Sequence, residues 1–376
     1  MSKIDHHLNL EEDFFSKDRK SHKNERKQLT AQDRSKYKKT DQKQLEKQKN
    51  LKQDSFESSH LKKGRVISIS IEGMLVDCDK VQYICSLKGL LKKERTEKKN
   101  LIAVGDFVLF EIASHNRGVI AHIEPRYSIL SRADNLHRNK EQLLAVNIDQ
   151  LFIVVSVIMP RLKPSLVDRY IIAAHQGNIH PVIVVNKIDL LSNPPENLDT
   201  ETFKQEVSLY QEFIGIYQKL SIPIIEISAA NEDGLDPIKA LMKGKASVFS
   251  GQSGVGKTTI LNKLLGTELK TADVVTKTYK GAHTTTMAQL LPLEGSGFCI
   301  DTPGIKSFGI WKNDPKDLQY YFSEFIPFSS KCKYPNCMHL EEPECSVKQA
   351  VENGEISLLR YASYHDLMTL AEDDYR

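Results

Sequence analysis

The chain has 376 residues, of which 40% are hydrophobic and 27% are charged. This composition is typical of globular proteins, and at roughly 150 residues per domain the length predicts two or three domains. No apolar run reaches the roughly 18–20 residues that cross a bilayer, and the N-terminus lacks the apolar centre of a secretory signal. We therefore expect a cytoplasmic protein with no membrane partner.

The net charge of +3 is unevenly distributed, because residues 1–63 carry 17 Lys and Arg against 11 Asp and Glu. The same residues are poor in aliphatic side chains, so they can bury too little apolar surface to offset the entropy of ordering. We interpret 1–63 as a disordered basic tail. It is either an arm that contacts RNA phosphates or a solubilising extension without a specific role.

Residues 64–127 contain five short runs in which Val, Ile and aromatic residues alternate with polar ones. They lie at 64–70, 73–77, 81–87, 105–112 and 118–123. Gly, Asp and Asn separate them, which predicts the strands of a small barrel, most consistent with an OB-fold. Residues 88–99 interrupt the pattern with six Lys and Arg. Such a basic loop suits RNA binding; the alternative is a solvated loop on an SH3-like barrel.

From 149 to 310 the pattern changes to alternating strands and helices. Apolar runs predict buried parallel strands, amphipathic runs predict two helices between them, and a final pair of runs predicts a hairpin. The strands are 151–157, 181–185, 223–227 and 246–250, the helices are 165–176 and 202–220, and the hairpin joins 287–293 to 297–301. This alternation predicts a doubly wound α/β domain.

The loop Gly-Gln-Ser-Gly-Val-Gly-Lys-Thr-Thr at 251–259 follows the fourth of these strands and opens a helical pattern. It fits the phosphate-binding pattern GxxxxGK[ST], in which glycines let backbone N–H groups turn toward the α- and β-phosphates. Lys257 can reach the β- and γ-phosphates, and the Thr258 hydroxyl can coordinate Mg²⁺. The alternative is a Gly-rich turn before an ordinary helix. The predicted nucleotide contacts are Gly251, Gln252, Ser253, Gly254, Val255, Gly256, Lys257, Thr258 and Thr259.

The motif Asn186-Lys187-Ile188-Asp189 ends the second predicted strand. The Asp189 carboxylate can accept hydrogen bonds from both N1–H and the 2-amino group of guanine, a pair of donors that adenine lacks. The aliphatic stem of Lys187 can lie along the base, and Asn186 can tie this loop to the phosphate loop. The motif therefore predicts a guanine site; its alternative is a strand-to-helix turn capped by Asp.

Further short motifs supply the remaining groups that a guanine nucleotide needs. The backbone of Ser228 and Ala229, at the end of the third strand, can meet guanine O6. Asp301 ends the last strand and suits a water-mediated Mg²⁺ contact, while the Gly304 N–H suits the γ-phosphate. Thr285, in a run of three threonines, can close on Mg²⁺ and the γ-phosphate as a switch. Each motif alone is weak, but together with the phosphate loop they predict a GTPase site.

The order of these motifs is unusual. In Ras-like GTPases the phosphate loop precedes NKxD, whereas here Asn186–Asp189 and Ser228-Ala229 precede it and the Asp-Thr-Pro-Gly motif at 301–304 follows. The Asp-Thr-Pro-Gly motif corresponds to DxxG of Ras-like chains. The same sheet results if a Ras-like chain is cut between its DxxG and NKxD motifs and its original N- and C-termini are joined. The join would run through residues 231–245.

With this order, the chain from Gly64 onward resembles the circularly permuted GTPases of the RsgA (YjeQ/YloQ) family. The resemblance implies an OB-fold barrel at 64–127, a circularly permuted Ras-like GTPase domain at 128–311 and a mostly helical zinc-binding domain at 312–376. It also implies a monomer that hydrolyses GTP with Mg²⁺, binds the small ribosomal subunit and its rRNA in late maturation, and is stimulated and released by that subunit. The tail at 1–63 lies outside the resemblance.

The sequence lacks the glutamine that orients the attacking water in Ras. The residue after Gly304 is Ile305, which cannot orient an attacking water as the glutamine of Ras does, and RsgA-like proteins share this hydrophobic replacement. His283, directly before the threonine run, is the nearest candidate for that role; the alternative is a histidine that contacts the partner. Two other functions stay open: a P-loop ATPase or kinase, and an RNA-binding protein that uses GTP as a structural ligand.

Three of the six cysteines lie within fourteen residues, in the pattern Cys332-x₄-Cys337-x-His339-x₅-Cys345. In a chain without an export signal this favours metal binding over disulfides, and Cys₃His is a closed tetrahedral Zn²⁺ set. The spacing is not the common pair of CxxC motifs, but it is similar to the zinc segment of the RsgA family. We expect one structural zinc ion; the alternative is a loop of reduced cysteines. Cys299 is interpreted as a core residue.

Overall fold

A computed structural model describes residues 61–89, 91, 101–133, 141–266, 288–293, 297–301 and 315–375. The predicted tail therefore lies outside the described residues, except that Lys62 and Lys63 already belong to the first strand. Among the described residues, no helix is long and apolar enough to cross a membrane.

The predicted barrel is confirmed. Its strands are β1 (Lys62–Ile69), β2 (Met74–Cys78), β3 (Val81–Leu87), β4 (Phe107–Ser114) and β5 (Arg117–Ile123). They close in the order β1-β2-β3-β5-β4, with β3 and β5 parallel and the other described pairs antiparallel. This is the five-stranded Greek-key barrel of an OB-fold. Most of the basic loop at 88–99 lies outside the described residues.

The doubly wound domain is also confirmed. Its elements are β6 (Ile129–Ala133), β7 (Glu141–Val146), β8 (Gln150–Ser156), α1 (Pro164–Gln176), β9 (His180–Asn186), α2 (Thr200–Lys219), β10 (Ile224–Glu226), α3 (Leu235–Met242), β11 (Ala246–Ser250), α4 (Lys257–Leu265), β12 (Gln289–Pro292) and β13 (Phe298–Asp301). A single sheet runs β10-β9-β8-β11-β13-β12, parallel throughout except for β12. β6 and β7 form a separate hairpin, which the sequence analysis missed together with α3.

The sheet places the predicted motifs at one edge. Its central strands β8 and β11 are buried at every position, since both faces are covered. Because parallel strands all point the same way, their carboxyl ends meet at a common edge, where ligands of open α/β sheets bind. The motif Asn186-Lys187-Ile188-Asp189 (NKID) begins at the last residue of β9, and the phosphate loop follows β11.

The C-terminal region is helical, as expected. After two 3₁₀ helices at Pro315–Tyr321 and Ser323–Phe325 come α5 (Ile326–Ser329), α6 (Ser346–Glu352) and α7 (Leu358–Tyr375). Their aromatic core includes Phe322, Phe325 and Tyr364, each at most 1% exposed.

A buried ion pair fastens α7 to the α/β domain. Arg360 of α7 contacts Asp168 of α1, and both residues are at most 4% exposed. The Arg360 guanidinium also pairs with Glu324 and lies 4.3 Å from the ring centroid of Phe322. The Tyr217 hydroxyl of α2 donates a hydrogen bond to Asp168. Removing one partner of such a pair would leave a buried charge without a counter-charge. This network therefore holds the C-terminal region against α1.

Candidate functional site

The phosphate loop is shaped by close backbone approaches that only glycine permits. Gly251 has φ +150°, and a Cβ there would lie 2.1 Å from the Val154 carbonyl oxygen. Gly256 has φ +94°, and its Cβ would lie 2.3 Å from Nδ2 of Asn186. The loop therefore wraps against β8 and the NKID motif before α4 begins at Lys257. The N–H groups and the dipole of this helix N-terminus favour an anion at the loop mouth.

Lys257 folds back over the loop that precedes it. Its Nζ donates hydrogen bonds to the carbonyl oxygens of Gly251, at 2.7 Å, and Gln252, at 2.8 Å. An ammonium group has three donors, so one remains for a ligand. Burial lowers the pKa of Lys257. A phosphate anion beside Nζ would act in the opposite direction and favour the charged form.

Asn186 joins three of the predicted motifs. Its Nδ2 donates to the Val255 carbonyl oxygen at 2.8 Å, and its Oδ1 accepts from the Ala229 N–H at 3.0 Å. The residue is 2% exposed. The predicted tie between the NKID motif and the phosphate loop is confirmed. The same side chain also holds the turn that follows β10, a contact that sequence reasoning missed because it joins distant segments.

The groups expected to face guanine lie beside these hydrogen bonds of Asn186. Lys187 adopts a left-handed backbone conformation with φ +66°, and its Nζ donates to the Met159 carbonyl oxygen. Ile188 opens the short 3₁₀ helix Ile188–Leu191. In the described part of the chain, Oδ1 of Asp189 is buried without a hydrogen-bond partner. A buried acceptor without a donor is unfavourable, so this oxygen fits a ligand that carries a donor.

The Ser228-Ala229 turn is tight, and some of its backbone groups are already occupied. Ser228 and Asp233 exchange backbone hydrogen bonds at 3.1 and 3.0 Å. The Ala229 N–H donates to Asn186. Guanine O6 would therefore have to accept from another N–H of this turn, or share the Ala229 N–H with Asn186.

The remaining predicted groups are described only in part. The backbone of Asp301 ends β13, which runs parallel to β11 and therefore finishes at the same edge as Gly251. Thr258 and Thr259 lie in the first turn of α4. His283, Thr285 and Gly304 lie outside the described residues.

The four predicted zinc ligands converge. The ligand atoms of Cys332, Cys337, His339 and Cys345 all lie within 4.8 Å of one another. His339 Nδ1 is 3.6 Å from Sγ of Cys332 and 3.3 Å from Sγ of Cys345, and the two sulfurs are 3.9 Å apart. Zinc bonds of about 2.3 Å to sulfur and about 2.0–2.1 Å to nitrogen give tetrahedral edges of about 3.8 and 3.6 Å. The cluster therefore fits a tetrahedral zinc ion.

The protonation of the donor set would change when a cation binds. Burial raises the pKa of the Cys337 thiol to about 12 and also raises that of Cys345. Burial lowers the pKa of His339. A divalent cation would oppose the shift of the thiols, because it stabilises the thiolate form, and it would bind the neutral form of the imidazole.

A second layer of hydrogen bonds surrounds the cluster, and no sequence signal identified it. The Glu342 carboxylate accepts from the N–H groups of Met338 and Leu340, at 2.6 and 2.9 Å. The hydroxyls of Tyr361 and Tyr364 each donate to a backbone carbonyl of the cluster loop at 2.7 Å. Their partners are the carbonyls of His339 and Met338, respectively.

Comparisons with known proteins agree with this geometry. The family model described as RsgA GTPase matches residues 123–311. The chain is 35% identical over 314 residues to the small ribosomal subunit biogenesis GTPase RsgA of Bacteroides fragilis strain YCH46, covering 83% of this chain and 97% of that protein. The chain belongs to the RsgA GTPase family. The chain is also 39% identical over 281 residues to the RsgA protein of Chlorobaculum parvum, and this match covers 72% of this chain and 86% of that protein.

Solved structures of the family share the fold. The crystal structure of YjeQ from Thermotoga maritima matches with a TM-score of 0.63 and 30% identity, covering 82% of this chain and 98% of that one. The structure of YloQ, described as a circularly permuted GTPase, matches with a TM-score of 0.63 and 26% identity, covering 84% and 96%. The permuted order inferred from the motifs is thus confirmed. As a member of this RsgA family the protein is a GTPase, which argues against the ATPase, kinase and non-hydrolysing alternatives.

Proposed function

We propose that this protein hydrolyses GTP to GDP and phosphate on the small ribosomal subunit during late maturation, and that hydrolysis releases it. The observation that carries the proposal is the similarity over 83% of the chain to relatives named small ribosomal subunit biogenesis GTPases. In this role the protein would act in the cytoplasm, as a monomer. Its residues 64–127 and 312–376 would contact rRNA, while 128–311 bind the nucleotide.

The nucleotide would be held by the groups that converge at the strand edge. The N–H groups of the loop and the third donor of Lys257 bind the phosphates, and Lys257 also offsets charge that develops during hydrolysis. Asp189 accepts from guanine, Lys187 covers the base, and the turn at Ser228-Ala229 meets O6. The proposed contacts are Asn186, Lys187, Ile188, Asp189, Ser228, Ala229, Gly251, Gln252, Ser253, Gly254, Val255, Gly256, Lys257, Thr258, Thr259, Thr285, Asp301 and Gly304.

Two metal ions complete the proposal. Mg²⁺ would enter with GTP, held by the Thr258 hydroxyl and, through water, by Asp301. Thr285 and the Gly304 N–H would close on the γ-phosphate. Zn²⁺ would be bound by Cys332, Cys337, His339 and Cys345. Because those four ligands fill a tetrahedral shell, no position is left for an activated water, and the zinc ion is structural.

We propose His283 as the group that positions the attacking water, because the residue after Gly304 is hydrophobic. Replacement His283→Ala should lower subunit-stimulated turnover by about 10²-fold, since one positioned group contributes about that much, and should leave GTP affinity unchanged. Single-turnover hydrolysis and equilibrium GTP binding separate the two effects. His365, which is exposed on α7, provides the control substitution His365→Ala. Unchanged turnover in His283→Ala would exclude this role.

Binding to the subunit can be tested by sedimentation. Full-length protein is mixed with purified small or large ribosomal subunits, in the presence of GDP or a non-hydrolysable GTP analogue, and centrifuged through a sucrose cushion. We expect co-sedimentation with small subunits in the presence of the analogue, and release in the presence of GDP. Co-sedimentation that is equal for both subunits, or independent of the nucleotide, would contradict the proposal.

A further inference from the structure

His339 has a different partner on each side of its ring. Nδ1 faces the sulfur atoms of Cys332 and Cys345, at 3.6 and 3.3 Å. Nε2 lies 2.9 Å from Oε1 of Gln319. The histidine is fully buried, so water cannot substitute for either neighbour. Whatever lies next to Nε2 therefore determines which ring nitrogen carries the hydrogen.

The orientation of the Gln319 amide follows from its other contact. Nε2 of Gln319 donates to the Lys316 carbonyl oxygen at 3.0 Å, which turns Oε1 toward the histidine. An amide oxygen only accepts hydrogen bonds, so the hydrogen must be on Nε2 of His339. The lone pair of Nδ1 then points at the three thiols, which is the tautomer that binds a metal ion.

Gln319 belongs to a segment that packs in the core of the C-terminal region. It lies in the 3₁₀ helix Pro315–Tyr321, where its neighbour Leu318 is 1% exposed and packs in the same core as Cys337 and Cys345. The hydrogen bond thus joins the metal cluster to a segment twenty residues earlier in the chain.

We infer that Gln319 is the residue that positions His339 for zinc, by accepting a hydrogen bond from its Nε2–H while Nδ1 faces the metal. The inference rests on the proposed zinc site. Outer partners of metal-bound histidines change metal affinity by about 10–100-fold when they are removed.

The test is the rate at which the zinc-loaded, full-length protein loses its metal to a chromogenic chelator. Gln319→Leu keeps the size of the side chain but removes the acceptor, so zinc affinity should fall by about 10–100-fold and zinc should leave faster than from the wild type. Gln319→Glu keeps an acceptor for His339 but loses the donor to Lys316, so it should release zinc more slowly than Gln319→Leu. Gln349→Leu, at an exposed position of α6, is the matched control and should match the wild type.

Each outcome has a distinct meaning. If the wild-type protein holds no zinc, the proposed metal site is wrong. If the wild type holds zinc and Gln319→Leu releases it at the same rate, only the inference about Gln319 is wrong. If Gln319→Leu does not fold, long-range ¹H–¹⁵N spectra of the wild-type zinc protein decide: an Nε2 proton of His339 that exchanges slowly with water supports the inference, and a proton on Nδ1, or an Nε2 proton that exchanges rapidly, overturns it.

Discussion

Replacing Asp189 with asparagine is expected to weaken GTP binding by about 10²–10⁴-fold. Two charge-assisted hydrogen bonds of about 1.5–3 kcal/mol each would be lost, and tenfold in affinity corresponds to about 1.4 kcal/mol. The amide also presents one donor and one acceptor where guanine offers two donors. Xanthine has a carbonyl in place of the 2-amino group, so XTP binding should strengthen in the same variant.

Competition against a fluorescent GTP analogue measures this change, with GTP, XTP and ATP as competitors. Asp236→Asn is the matched control, because Asp236 lies in the same domain with a side chain that is 94% exposed. Its nucleotide preference should equal that of the wild type. If ATP competes as well as GTP against the wild type, or if Asp189→Asn keeps its GTP affinity, then Asp189 does not recognise guanine.

Removing zinc is expected to unfold the region 315–375. Structural zinc ions contribute about 10–16 kcal/mol of apparent binding free energy at neutral pH in zinc-finger peptides. The small aromatic core around Phe322 and Tyr364 cannot replace so large a contribution. Cys337→Ser should therefore lose its zinc and make this region sensitive to proteases, while the GTPase domain still binds GTP.

Metal analysis and limited proteolysis measure both effects, and the expected content of the wild type is one zinc ion per chain. Cys78→Ser, in the barrel, removes a thiol far from the cluster in sequence and should keep the metal. Because the thiols must lose their protons to bind, the wild type should also lose zinc as the pH falls. Retention of zinc in Cys337→Ser, or a protease-resistant C-terminal region without zinc, would contradict the structural role.

Much of the fold could be predicted because its signals are local. β8, β9 and β11 are continuous apolar runs, and the phosphate loop is defined by consecutive residues. The barrel strands alternate as a half-buried sheet should. In contrast, α3 has only eight residues within a stretch interpreted as the join, and the β6–β7 hairpin lacks regular alternation.

The missed site contacts depend on tertiary structure. Asn186 reaches Ala229 across 43 residues, and Arg360 reaches Asp168 across 192. No spacing rule relates such pairs, because they meet only after the sheet and the C-terminal region have packed. The hydrogen bond between Gln319 and His339 is of the same kind. The zinc ligands themselves were predictable because they lie within one short segment.

GTP turnover in the presence of purified small subunits, large subunits or neither tests the central claim most directly. The proposed coupling predicts slow hydrolysis alone, because Ile305 cannot orient water, and a rise only when small subunits are added. Equal rates in all three conditions would contradict the coupling to the small subunit.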